Sequence, residues 1–284
     1  MKKIILLSPW KNVWVDYKLN YFKSRGYEIE FHKEFGPHVG LKADVIISAW
    51  ANEYTEILGN LPKLCDKYIA CLRSYEYYSG FYKKIKWDNF DHVVFCNEHI
   101  MKQADVPKSR YIPNATDVSK FKINHHKKKG NNILFLADVN HKKGIMLLAQ
   151  IARALPTYNF YVAGNIQEIR FFEYLKHSGP SNIYYKGYVK DVNELFGEMH
   201  YILCTSPAEG HPNNIIEGMC AGLKPVIHRY LGYKGQFPNE YFYTTVEEAR
   251  DMIVSNEWEP EKYRQAIVDN YDYTKVYQKL EELL

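Results

Sequence analysis

Two carboxylates, Glu209 and Glu217, frame the segment Ser206-Pro-Ala-Glu209-Gly-His-Pro-Asn-Asn-Ile-Ile-Glu217. Gly210, His211 and Pro212 read as a turn. Pro212 is expected at the first helical position, which suits its fixed φ and missing N–H. Gly222 stands where a C′ glycine would end that helix. The turn therefore brings a helix N-terminus beside Glu209, and its unpaired amides and positive dipole end suit a diphosphate. Glu217, in the second helical turn, is placed to accept hydrogen bonds from hydroxyls of the same ligand. A cradle built from Ser206, Glu209, Gly210, His211, Asn213, Asn214 and Glu217 describes a site for a sugar nucleotide.

A second group is Lys143-Gly144, which follows the apolar run ending at Leu136 and is expected to open the helix continuing through Ile145-Met-Leu-Leu-Ala. The helix dipole repels a cation at that end, so Lys143 there calls for an anion such as phosphate. A third group closes the run Ala70-Cys-Leu. Arg73 and Glu76 are expected to overlook a cleft, where they position an acceptor or a phosphate, or pair with each other. Trp10, in the loop Ser8–Asn12 behind the first apolar run, is a further candidate for acceptor contact. Tyr77–Trp87 mixes aromatics with Lys83, Lys84 and Lys86, a composition that stacks on rings or fills a core.

These residues must be held by elements, and the elements repeat. Short β-branched runs occur at Lys3–Leu7, Glu28–His32, Asp44–Ser48, Tyr68–Leu72, His92–Cys96 and Arg110–Ile112. They resume at Ile133–Leu136, Asn159–Ala163, Ile183–Tyr185, Tyr201–Cys204, Pro225–His228 and Tyr241–Tyr243. Amphipathic segments separate most of them, so the pattern predicts two α/β, Rossmann-like domains of parallel strands facing a central cleft. The expected division is residues 1–118 and 119–264, joined near Asp117–Lys129, with Glu261–Leu284 a helix whose residues 265–284 cross back over the first domain. Such sheets bind ligands beyond the carboxyl ends of their strands, where all the candidate residues fall.

The 284 residues suffice for two cores, and the net charge of +4 fits phosphate ligands without requiring nucleic acid. Five scattered cysteines, none in CxxC spacing, indicate free thiols in a reducing cytoplasm. The apolar run Ile4–Leu7 is too short for a secretory signal, and no segment has the length of a membrane span. Lys127–Lys129 reads as a solvated linker beside His125-His126. No P-loop, GxSxG, HExxH or zinc spacing occurs, and no GxGxxG follows the first strand, which excludes the usual NAD and FAD sites.

With these residues placed, the second half resembles the retaining nucleotide-sugar glycosyltransferases of the GT-B fold, family 4. The shared motifs are Pro113–Asp117, the strand followed by Lys143-Gly144, Val162–Asn165, Tyr185–Asp191, and Glu209 with Glu217 in the E-x7-E pattern. The resemblance implies that Glu209 binds sugar hydroxyls and Glu217 the ribose. It further implies that Lys143 and the Gly210–Asn214 amides hold the diphosphate, with Tyr188 beside the base. Glu209, Lys143 and Arg73 are the expected catalytic residues, and Trp10, Arg73 and Glu76 the expected acceptor residues. It implies no metal and no cofactor other than the nucleoside diphosphate sugar. The acceptor would be a surface glycan or a lipid-linked precursor, with a peripheral membrane contact through Tyr77–Trp87 left open. A hydroxylated base in DNA and a catalytically degenerate scaffold are the alternatives. The family's usual Arg, five residues before the Lys, is replaced here by Asp138.

Overall fold

The computed structural model describes residues 2–35, 42–123, 130–255 and 257–284. His125-His126 and Lys127–Lys129 lie outside the described residues. The chain divides into two compact units: unit 1 comprises Met1–Asp117 and Tyr271–Leu284, and unit 2 comprises Val118–Asn270.

Unit 1 contains strands β1 (Lys3–Leu7), β2 (Glu28–His32), β3 (Val45–Ser48), β4 (Lys67–Leu72), β5 (His92–Phe95) and β6 (Ser109–Tyr111). All pair in parallel in the order β2-β1-β3-β4-β5-β6. Its helices are α1 (Val13–Ser24), α2 (Glu53–Asn60), α3 (Ser74–Tyr78) and α4 (Glu98–Ala104). Continuous apolar runs such as Ile4–Leu7 are buried throughout, as a parallel sheet covered on both faces requires.

Unit 2 repeats the plan with β7 (Asn132–Leu136), β8 (Asn159–Ala163), β9 (Ile183–Gly187), β10 (Tyr201–Cys204), β11 (Lys224–His228) and β12 (Phe242–Tyr243). The connecting helices are α5 (Ile145–Ala154), α6 (Ile169–Ser178), α7 (Val192–Glu198), α8 (Asn213–Cys220), α9 (Val246–Val254) and α10 (Pro260–Asn270). The order β12-β11-β10-β7-β8-β9 reverses direction between β7 and β10, which opens a crevice at their carboxyl ends. Every run read as a strand forms one, to within two residues at either end.

The segment Glu261–Leu284 departs from the expected single helix. It is split into α10 and α11 (Tyr273–Glu281). Between them the backbone leaves the helix to bridge Thr116: the Thr116 N–H donates to the Tyr271 carbonyl at 3.0 Å, and the Tyr273 N–H donates to the Thr116 carbonyl at 2.9 Å. Asp272 then caps α11 by accepting the Thr274 N–H at 2.9 Å. Val276, Tyr277, Leu280 and Leu284 are buried in one core with Val15, Leu19 and Phe22 of α1. All five cysteines are free; Cys65 is half-buried and the other four are buried.

Candidate functional site

The loops leaving β7 and β10 meet at the reversal point of unit 2. After β7, Asn140 accepts the Lys143 N–H on Oδ1 at 3.0 Å, starting a single 3-10 turn over His141–Lys143. Lys143 thus ends a turn rather than opening the helix, because Gly144 follows at φ +70° and α5 begins only at Ile145. A Cβ on Gly144 would lie 2.0 Å from the Thr205 carbonyl oxygen, so this close approach and its left-handed backbone both need glycine. The Thr205 hydroxyl donates to the Lys143 carbonyl at 2.7 Å, tying the two loops together.

After β10, the chain turns through Gly210, whose carbonyl accepts from Gln236 Nε2 at 2.8 Å. Gln236 is buried and in turn accepts the Tyr230 hydroxyl. Pro212 is extended (φ −72°, ψ 107°) and caps α8 instead of forming its first residue; its ψ is incompatible with a helical turn. Gly222, at φ +83°, ends the helix as expected. Ile215 N–H bonds Asn214 Oδ1 and Ile216 N–H bonds the Pro212 carbonyl. The N–H groups of Asn213 and Asn214 make no hydrogen bond among the described residues, the condition in which a helix N-terminus takes an anion.

Lys143 and Glu209 meet across this crevice, Nζ to Oε1, at 2.5 Å. Burial acts to lower the Lys143 pKa, but attraction to Glu209 outweighs it and leaves the ammonium above its usual range. Glu217 is different. Its side chain has no hydrogen bond or ion pair among the described residues, and burial of its carboxyl pushes the pKa up to about 7. Asn213 Oδ1, at the same helix start, is also buried without a partner. A shielded acid and an orphaned amide oxygen are both acceptors for the hydroxyls of a ligand.

The remaining expected residues fall as follows. The Ser206 side chain is buried, and its carbonyl accepts from His228 Nδ1 at 3.1 Å. His211 lies inside, stacked on Phe237 with ring centroids 5.3 Å apart. Asn214 Nδ2 donates to the Leu136 carbonyl at 2.9 Å, so its side chain anchors α8 to β7. Tyr188, 71% exposed, follows the edge strand β9. Asp138, at the position of the usual Arg, turns to the loop after β8. Its carboxylate accepts from the Asn165 N–H at 2.8 Å and from Gln167 Nε2 at 2.6 Å.

In unit 1 the strand order reverses between β1 and β3, and Trp10 and Trp50 stand at those two strand ends in edge-to-face contact, 5.5 Å between centroids. Arg73 follows β4, and its Nη1 donates to Asn114 Oδ1 at 2.8 Å. Glu76 does not overlook open space. It is buried, and its Oε2 accepts the Arg73 N–H at 2.9 Å, which caps α3. Tyr77 and Trp87 pack against the unit's core, with Trp87 Nε1 donating to the Tyr82 carbonyl at 3.2 Å.

Sequence reasoning missed Asn140, Thr205, Tyr230 and Gln236. Thr205 is a polar residue directly behind a strand, a usable signal; the spacing of the other three carries none.

The sequence model of the glycosyl transferases group 1 family matches residues 130–272, just over half of the chain. No curated protein matches it by sequence. Several solved structures share the fold. AviGT4, described as a glycosyltransferase involved in avilamycin A biosynthesis, superposes with a TM-score of 0.74 at 14% identity, over 100% of this chain and 97% of that one. HepE from Anabaena, solved with UDP and glucose, gives a TM-score of 0.76 at 14% identity over 99% of both chains. Sucrose-phosphate synthase from Thermosynechococcus elongatus gives 0.74 at 11% identity, over 100% of this chain and 98% of that one. The two parallel six-stranded sheets are those of the GT-B fold.

Proposed function

Because the chain belongs to the glycosyl transferases group 1 family, we propose that it moves a sugar from a nucleoside diphosphate sugar, bound by unit 2, to an acceptor hydroxyl. The reading extends to family 4, retention at the anomeric carbon, and catalysis without a metal ion. The observation that carries it is Glu217: a shielded carboxylate with no internal partner, one helical turn behind amides that also lack one. A ribose hydroxyl supplies the missing hydrogen bonds and the diphosphate fills the helix N-terminus.

Lys143 then does two things in sequence. Without donor it neutralises Glu209; with donor its ammonium reaches the diphosphate, and Glu209 is released to hold a sugar hydroxyl. Charge developing on the leaving diphosphate is stabilised by Lys143 and by the Asn213 and Asn214 amides, which are fixed before the reaction begins. The departing phosphate oxygen takes the acceptor proton on the same face, so no separate carboxylate base is needed. UDP is the first donor base to try, since HepE was solved with it. A glycan or lipid-linked acceptor is the reading for unit 1. Asp138 gives the scaffold alternative no support, because its carboxylate is occupied by the loop after β8.

The test is thermal stabilisation by UDP, GDP, ADP, CDP, dTDP and their sugars, on the wild type and on Glu217→Ala. One nucleotide should stabilise the wild type selectively and leave the variant unchanged. No response to any of them would overturn the reading.

A further inference from the structure

Unit 1 collects hydrogen-bond donors where it lacks acceptors. Lys18, in the middle of α1, is 5% exposed. Among the described residues its ammonium has no carboxylate or carbonyl partner; it sits over the Tyr277 ring, 5.2 Å from the centroid. Trp14 lies four residues earlier and so on the same face of α1, displaced toward the helix N-terminus. Its Nε1–H is buried and unpartnered, and its carbonyl accepts the Tyr277 hydroxyl at 3.5 Å, which places Trp14, Lys18 and Tyr277 together. Arg73, behind the carboxyl end of β4, acts on the same two groups: its positive charge disfavours the charged form of Lys18 and favours the ionised form of Tyr277. Its guanidinium donates to Asn114 Oδ1 at 2.8 Å and is also hydrogen-bonded to the Cys96 side chain.

The charges do not balance. The carboxylate beside Arg73 is Glu76, whose Oε2 is used by the Arg73 amide and whose burial pushes it toward the neutral form, and Lys18 has no carboxylate partner among the described residues. Burial, with Arg73 second, lowers the Lys18 pKa to about 8. A buried ammonium without a counter-ion destabilises a fold, and an anion supplied by a ligand would offset that cost.

We propose that Trp14, Lys18 and Arg73 form an oxyanion subsite in unit 1, and that the acceptor carries a phosphate group which occupies it. The donors come from two places, α1 and the loop behind β4, and Arg73 lies beyond the carboxyl end of its strand, where parallel α/β folds bind ligands. A phosphate offers several acceptor oxygens and a negative charge, the complement of an ammonium, a guanidinium and an indole N–H. The identification of the ligand as an acceptor rests on the proposed transferase function; the subsite itself does not.

Inorganic phosphate is the probe, at constant ionic strength against chloride, with melting temperature read for the wild type, Lys18→Met, Lys18→Arg and Lys143→Met. Phosphate should raise the melting temperature of the wild type, Lys18→Arg and Lys143→Met by several degrees and leave Lys18→Met unmoved. Without phosphate, Lys18→Met should melt higher than the wild type, since it removes an uncompensated charge. A wild type that does not respond, or a Lys18→Met variant that keeps the wild-type response, overturns the subsite. A Lys18→Met variant that melts lower than the wild type overturns it as well, because the ammonium is then a structural asset. UDP stabilisation measured on the same samples separates the two readings: its absence alone sinks the donor site, and its presence in Lys18→Met shows that unit 2 is intact.

Discussion

The fold disfavours the charge on Glu217, and this gives a pH signature. Its carboxyl is raised from an ordinary 4.5 to about 7. The folded state therefore holds the proton more tightly than the unfolded state. Its contribution is most favourable below about pH 4.5, is lost as pH rises toward 7, and is fully lost above that. Glu217→Gln should accordingly be more stable than the wild type at pH 8 by roughly 3 kcal/mol, and equal to it near pH 4. Urea unfolding at the two pH values checks this; equal stability at pH 8 means the carboxyl is hydrated. The same variant should lose nucleotide stabilisation, separating its stability from its binding role. Lys143→Met is expected to behave in the opposite way. It removes the ion pair to Glu209, so the free protein should lose roughly 1–2 kcal/mol at neutral pH, as well as its response to the nucleotide, both read from the same melts.

The elements around these residues are fixed by contacts of two kinds, and only one kind is legible in a sequence. Among the described residues all twelve strands could be read, most of them because they are short apolar runs rich in β-branched residues, the composition a buried parallel sheet demands. Glu209 and Lys143 could be placed because they lie in loops that follow strands, and Glu217 because it lies in the helix behind the Gly210 turn. The break at Tyr271-Asp272 could not. Its cause is a backbone bridge to Thr116, far away in sequence, and the local cue, Asp272 before Thr274, is an ordinary helix cap in an otherwise helical pattern. Lys18 carried no sequence signal, since its burial against Tyr277 of α11 is a tertiary event. Gln236 was equally silent, yet it holds the Gly210 turn. Gln236→Leu would leave the Gly210 carbonyl and the Tyr230 hydroxyl without this partner, and should cost roughly 2 kcal/mol and weaken nucleotide binding. Gly144→Ala should cost more, roughly 3 kcal/mol or above, because the new Cβ meets the Thr205 carbonyl at 2.0 Å and the backbone is left-handed. Chemical denaturation of both variants tests the pair; an Ala at position 144 without penalty would mean that the loop is free to move.

At the scale of the molecule, unit 1 is discontinuous: it takes its final helix from beyond unit 2. Removing Tyr271–Leu284 should therefore destabilise unit 1 by several kcal/mol, because Val276, Tyr277, Leu280 and Leu284 leave its core. Nucleotide stabilisation, which the proposed function assigns to unit 2, should survive. Loss of both responses in the shortened chain would show that the units do not fold separately. The arrangement also sets an order of events during synthesis. The six strands of unit 1 leave the ribosome first, but α11 and the carbonyls of Leu283 and Leu284, which accept from Lys67 and Lys2, arrive only after all of Val118–Asn270. At ordinary elongation rates that interval is roughly 10–30 s. For this time the first-made sheet waits with the surface of α1 uncovered, while the second-made unit has everything it needs to fold, so the half of the chain that is translated first should be the half that matures last.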